Sequence, residues 1–139
     1  TVGAVVCQVP LLDMIRYTQL LAGASWAAEY GDPSDPDMRE VIMKYSPYHN
    51  LHRETDYPKA FFLTSTKDDR VHPGHARKMV ARMKAYGKPV FYYENTEGGH
   101  SASANQKQTA RRTALEFVYL SRQLGLAELP VTSEAKNAE

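Results

Sequence analysis

The residues of this chain best suited to chemistry are an adjacent carboxylate pair, Asp68-Asp69, and a histidine, His100, 32 positions after the first of them. Each follows a short apolar run. Ala60-Phe61-Phe62-Leu63 leads into Thr64-Ser65-Thr66-Lys67-Asp68-Asp69-Arg70-Val71, and Val90-Phe91-Tyr92-Tyr93 leads into a polar loop carrying Gly98-Gly99-His100. Such runs, bounded by turn residues, read as buried strands. In an open parallel sheet, loops that follow strands gather at the carboxyl edge, where ligands bind. An Asp that orients a His there supplies two of the three members of a nucleophilic triad. Taken singly, each residue has a plainer use: a loop Asp caps the following helix, and Gly-Gly-His forms a turn.

The third member is missing. Where an acid precedes the histidine in an α/β-hydrolase arrangement, the nucleophile comes earlier in the chain, on a G-x-S-x-G turn. That pattern occurs nowhere in the 139 residues. Ser25 follows Gly23 but precedes Ala27, and no strand leads into it, which argues against it as nucleophile; Ser65 reads as structural. His72-x-x-His75 offers two imidazoles one helical turn apart, without the third ligand that a zinc site needs. No Gly-rich phosphate loop is present and no cofactor is implied.

The elements that must position Asp68 and His100 follow from periodicity. Gly3-Ala4-Val5-Val6-Cys7-Gln8-Val9 is a strand buried on both faces, stopped by Pro10. A helical segment is expected from Asp13, and a loop or short helix over Gly23–Gly31 that puts Trp26 and Tyr30 on one face. Asp35 is placed to cap a helix with Pro36 first and Asp37 in its first turn, presenting Met38, Val41, Ile42 and Tyr45 on one side. The clearest helix runs from His72 to Tyr86, with Ala76, Met79, Val80, Met83 and Tyr86 on one stripe and Arg77, Lys78, Arg82 and Lys84 facing away. A last helix is expected to bury Ala114, Phe117, Val118 and Leu124, with Leu120 beside them. Strands alternating with helices imply a parallel sheet covered by helices, an α/β fold. One domain portion spans 1–125, and 126–139 reads as a tail.

Composition narrows the classes. With 42% apolar and 24% charged residues and a net charge of +1, nothing suggests nucleic acid or an acidic membrane surface as partner. The apolar runs fall short of the ~20 residues of a membrane helix. The single cysteine, Cys7, lies in an apolar run and reads as a buried structural thiol. The chain opens Thr1-Val2-Gly3 almost directly in a strand, as an excised piece would, and the compartment of the parent is left open.

Six segments in order resemble the C-terminal part of the peptidase domain of the prolyl oligopeptidase family. They are Gly3–Val9, Asp13-Met14, Trp26-x-x-x-Tyr30-Gly31, Lys44-Tyr45-Ser46-Pro47-Tyr48-His49-Asn50, Asp68-Asp69-Arg70-Val71-x-Pro73, and Gly99-His100. The resemblance implies the C-terminal half of an α/β-hydrolase fold and a set of roles. Asp68 is the triad acid, His100 the base, and Asp69 structural. Trp26 stacks on a substrate proline, Tyr30, Val71 and Leu11 line its pocket, and Arg70 hydrogen-bonds a substrate carbonyl. A flat indole suits a proline ring, and a guanidinium has donors only, as a carbonyl requires. Family members often carry a further glycine after the histidine, where this chain has Ser101.

The resemblance also places the Ser and its oxyanion-hole donors upstream. The expected function is therefore part of a serine peptidase that cleaves short peptides after proline, this chain being inactive alone. Its expected partners are peptide substrate and either the missing N-terminal part of the domain or a second copy. A non-catalytic peptide-binding module, or an esterase or aminopeptidase on the same sheet, are the competing readings.

Overall fold

A computed structural model of the chain describes residues 2–100 and 105–126. Three parallel strands, β1 (Val5–Gln8), β2 (Ala60–Ser65) and β3 (Val90–Asn95), form a sheet in sequence order. Val5 pairs with Ala60 and Ala60 with Val90, so the strands leave the sheet together at one edge. Only β2 is buried along its whole length. The expectation that β1 is buried on both faces fails: Val5, Val6 and Cys7 are half-buried, because β1 is an outer strand with no strand beyond it among the described residues.

Alternation along β2 divides the core. Ala60 and Phe62 face helix α3 (Gly74–Ala85) and pack with Met79, Val80 and Met83. Phe61 and Leu63 face helix α4 (Gln106–Gln123) and pack with Tyr119. Ala76, Met79, Val80 and Met83 of the stripe expected on α3 are buried and Tyr86, just past its end, is half-buried; the helix begins at Gly74, two residues later than predicted. His72 Nδ1 accepts the Gly74 N–H at 2.9 Å and closes the turn before it. Its cations do not simply face away. Arg77 forks onto Glu94, Lys78 pairs with Asp13, and Arg82 donates to the Tyr48 carbonyl at 2.7 Å.

On α4 the expected stripe is displaced. Phe117, Val118 and Leu124 are 65%, 49% and 53% exposed, whereas Tyr119 is buried. The Tyr119 hydroxyl accepts the Val5 N–H at 2.9 Å and donates to the Lys59 carbonyl, tying the helix to the starts of β1 and β2. A tyrosine outside the expected stripe therefore sets the rotation of the helix. Gly125, at φ +65°, follows the last turn of α4; past Leu126 the expected tail lies outside the described residues, as does Ser101.

Between β1 and β2 the chain builds one wall of the site. No α-helix starts at Asp13; the segment turns and forms 3-10 helices over Tyr17–Gln19 and Leu21–Trp26, then α1 (Ala27–Tyr30). Gly23 makes this possible, since a Cβ there would lie 1.7 Å from the Tyr17 carbonyl oxygen. Gly31 ends α1 at φ +86°, a conformation open to glycine. Helix α2 (Pro36–Tyr45) starts as expected, the Asp35 carboxylate accepting from Asp37 N at 2.9 Å and Met38 N at 3.3 Å. Of its expected inward face only Ile42 is buried; Met38, beside Gly31, Tyr45, whose hydroxyl reaches the Tyr30 carbonyl, and Val41 are exposed.

Candidate active site

Both loops at the carboxyl edge are shaped by a side chain folding back on its own backbone. After β2, Asp68 Oδ1 accepts the N–H groups of Arg70 at 2.9 Å and Val71 at 3.0 Å. After β3, Asn95 Oδ1 does the same for Glu97 at 2.9 Å and Gly98 at 3.2 Å. Short polar side chains favour such turns because they mimic the backbone acceptor. The two loops are then stitched together. Thr66 N donates to the Asn95 carbonyl at 2.8 Å, and the fully buried Ser65 hydroxyl donates to the Gly98 carbonyl.

Within that frame His100 Nδ1 stands 3.0 Å from Oδ1 and 3.0 Å from Oδ2 of Asp68. The Asp68 side chain has no exposed surface and the His100 side chain is 33% exposed. An ionised carboxylate only accepts, so Nδ1 donates and Nε2, on the other side of the ring, is left as the basic nitrogen. Asp69 is exposed. The neighbouring Glu94 braces the same edge, accepting from Thr66 Oγ1 at 2.6 Å and from Arg77 Nε at 3.0 Å. Its hydrogen bonds to the Arg77 guanidinium hold its carboxyl down at about 2, against partial burial.

His100 also lines a cleft of about 500 Å³ together with Leu11, Trp26, Tyr30, Arg70 and Val71. Every residue singled out from the sequence as catalytic or substrate-binding is therefore at one place, although Asp68 itself lies behind the imidazole. Trp26 and Leu11 are seated on an apolar cluster of Met14, Ile15, Tyr17 and Ile42. Tyr30 is held by the edge of Tyr17, ring centroids 6.1 Å apart, and by the Tyr45 hydroxyl on its carbonyl at 2.8 Å. The Arg70 carbonyl accepts the Ala22 N–H at 3.3 Å, joining the acid loop to the tryptophan segment. Ser25 lines the cleft too, but its Oγ donates to the Ala22 carbonyl at 2.6 Å.

Sequence reasoning passed over Glu29, on the cleft wall, and Asn95 and Glu94, which shape its rim. Asn95 had a legible signal: an Asn at a strand end with Gly three residues on is a turn signature. His72 and His75 are each engaged through Nδ1, with Gly74 N and Asp13 N respectively. Among the described residues no group of three or more His, Cys, Asp or Glu side chains is placed to hold a metal ion. Cys7 is half-buried, and burial pushes its thiol up, away from thiolate chemistry.

The chain is also similar to known proteins. The family model described as "Prolyl oligopeptidase family" matches residues 3–127. The peptidase y4nA of Sinorhizobium fredii is 56% identical over 122 residues, which cover 88% of this chain and 17% of that protein. The prolyl endopeptidase of Elizabethkingia miricola is 36% identical over 125 residues, covering 87% of this chain and 18% of that one. Among solved structures, a post-proline cleaving enzyme from Rickettsia typhi superposes with a TM-score of 0.84 at 36% identity, over 89% of this chain and 18% of its own. The chain thus spans under a fifth of the length of each of these relatives.

Proposed function

The chain belongs to the prolyl oligopeptidase family, with the strands and helices of the C-terminal half of an α/β-hydrolase fold, and on that premise we propose that it is part of the catalytic domain of a serine peptidase. The peptidase cleaves short peptides on the carboxyl side of proline. Residues 1–125 belong to that domain and the segment from 126 on is a tail. The observation that carries the reading is the Asp68–His100 pair, 3.0 Å apart, opening onto the same cleft as Trp26.

In this mechanism His100 Nε2 takes the proton of a serine hydroxyl supplied by polypeptide outside these 139 residues as the oxygen attacks the scissile carbonyl. The C–N bond breaks as the same proton passes to the leaving amine, and water repeats the sequence on the acyl-enzyme. Asp68 holds the Nδ1–H tautomer and stabilises the imidazolium. Trp26 receives the proline ring, Leu11, Tyr30 and Val71 close the pocket around it, and Arg70 donates to a substrate carbonyl. The nucleophile and oxyanion donors account for most of such rate enhancements, so the chain alone is inactive and requires the complementary part of its domain.

The test is the full-length protein with a serine-directed fluorophosphonate and with chromogenic peptides ending in proline or alanine. Covalent labelling and faster cleavage after proline support the reading. Absence of labelling favours a peptide-binding module using the same cleft, and labelling without peptide cleavage favours an esterase.

A further inference from the structure

Behind the cleft wall lies a polar cluster that the reaction does not use. Asp13 and His75 are each 1% exposed and Ser46 is fully buried. The backbone that follows Leu11 is satisfied by side chains of two distant elements. The Leu12 carbonyl accepts from Tyr48 N at 3.0 Å and Ser46 Oγ at 3.4 Å; Asp13 N donates to His75 Nδ1 at 3.1 Å; Met14 N donates to Ser46 Oγ at 3.1 Å. The Asp13 carboxylate pairs with Lys78, whose ammonium also lies 4.3 Å from the centre of the Tyr48 ring. His75 and Lys78 both project from α3, the helix that follows the Asp68 loop.

This clasp closes a strained exit. Val9, the residue that leaves β1, has φ +39°, a region a β-branched residue adopts only when its surroundings impose it. The Asp13–Lys78 pair, buried only at its carboxylate end, is weak support for stability, since apolar side chains of similar volume can serve as well. Its effect here is one of placement. Leu11, one residue before the clasped carbonyl, lines the cleft, and Met14, one residue after Asp13, belongs to the cluster on which Leu11 and Trp26 are packed.

We propose that Asp13 is a positioning residue for the cleft: clamped between Lys78 and His75, it fixes the turn from Leu11 to Met14 and so sets the Leu11 wall against which the substrate ring is held. The inference rests on the reading of the cleft as the substrate site. It places Asp13 outside the chemical step, so its loss acts on binding through Leu11.

The experiment is a double-substitution cycle in the full-length protein, Asp13→Asn against Leu11→Ala, with proline-containing chromogenic peptides. Asp13→Asn alone is expected to raise KM about fivefold with kcat within about twofold, and to change KM by less than about twofold when Leu11→Ala is already present. A merely structural role would give the same KM change in both backgrounds, or would lower kcat in step with the amount of folded protein; either result overturns the proposal. If Asp13→Asn does not accumulate, Ser46→Ala, which removes the acceptor of Met14 N together with the hydroxyl's contacts to the Leu12 carbonyl and His49 Nδ1, is read the same way. Fluorophosphonate labelling of the unsubstituted protein separates the two levels. No labelling and no cleavage overturns the peptidase reading and this inference with it; normal labelling with a Leu11-independent KM removes the role of Asp13 alone.

Discussion

His100 Nδ1 lies 3.0 Å from both carboxylate oxygens of Asp68, a side chain that is itself fixed by the N–H groups of Arg70 and Val71. The orientation of the imidazole is thus inherited from the backbone of the loop after β2. Asp68→Asn keeps an acceptor for the turn but can present an N–H to Nδ1, which selects the wrong tautomer. In the full-length protein kcat is expected to fall about 10³–10⁴-fold with the fold intact by circular dichroism. A loss of less than about tenfold would show that this pair does not carry the reaction.

Trp26 sits half-buried on the cluster of Met14, Ile15, Tyr17 and Ile42 and offers the rest of its ring to the cleft. Trp26→Ala removes the flat face on which a proline ring stacks. KM for proline peptides is expected to rise about tenfold or more, and KM for alanine peptides to change much less. Equal changes for the two substrates would take the proline preference away from this ring.

Much of this site could be read from residue order, and the part that could not has a common cause. Asp68 and His100 stand right after apolar runs, so their shared edge follows from strand alternation alone. Asp35-Pro36-Asp37 announces α2 because a cap uses local geometry. Asp13 followed by Met14 and Ile15 looks equally like a cap, but its N–H is taken by His75, 62 positions away, and no helix forms. The rotation of α4 is likewise decided by Tyr119 reaching Val5 and Lys59, 114 and 60 positions away. Periodicity reports that α2 and α4 have apolar faces; it does not report which of them this stretch of chain covers.

Those uncovered faces have a consequence for the 139-residue chain by itself. Val41, Phe117 and Leu124 are 48%, 65% and 53% exposed, and β1 is an outer strand of the sheet. Open strand edges and apolar faces drive pairing with another chain. The isolated chain is expected to sediment as a dimer or larger species, and to give a 1:1 complex when co-expressed with the remainder of the full-length polypeptide. A well-folded monomer in sedimentation velocity would contradict this.

Acid stability supplies a last check, through His75. Burial pushes this imidazole down to about 4 from the usual 6.5; the Asp13 carboxylate opposes the effect, and His72 and Lys78 add to it. The neutral ring accepts the Asp13 N–H at Nδ1, while Nε2 is buried without a hydrogen-bond partner. Below pH 6.5 the unfolded segment binds a proton that the folded one refuses, so stability is complete above that pH and declines as pH falls through about 4, by up to about 3 kcal/mol. A second decline belongs to Glu94, whose carboxyl is held at about 2 instead of 4.5, so its contribution disappears only in stronger acid. Amide-exchange protection of peptides containing Asp13, corrected for the intrinsic rate at each pH, is therefore expected to weaken between pH 6.5 and 4. His75→Gln retains an acceptor but cannot charge, and it should flatten that upper window while leaving the Glu94 decline in place. An unchanged slope in the variant would mean that the proton is taken up elsewhere.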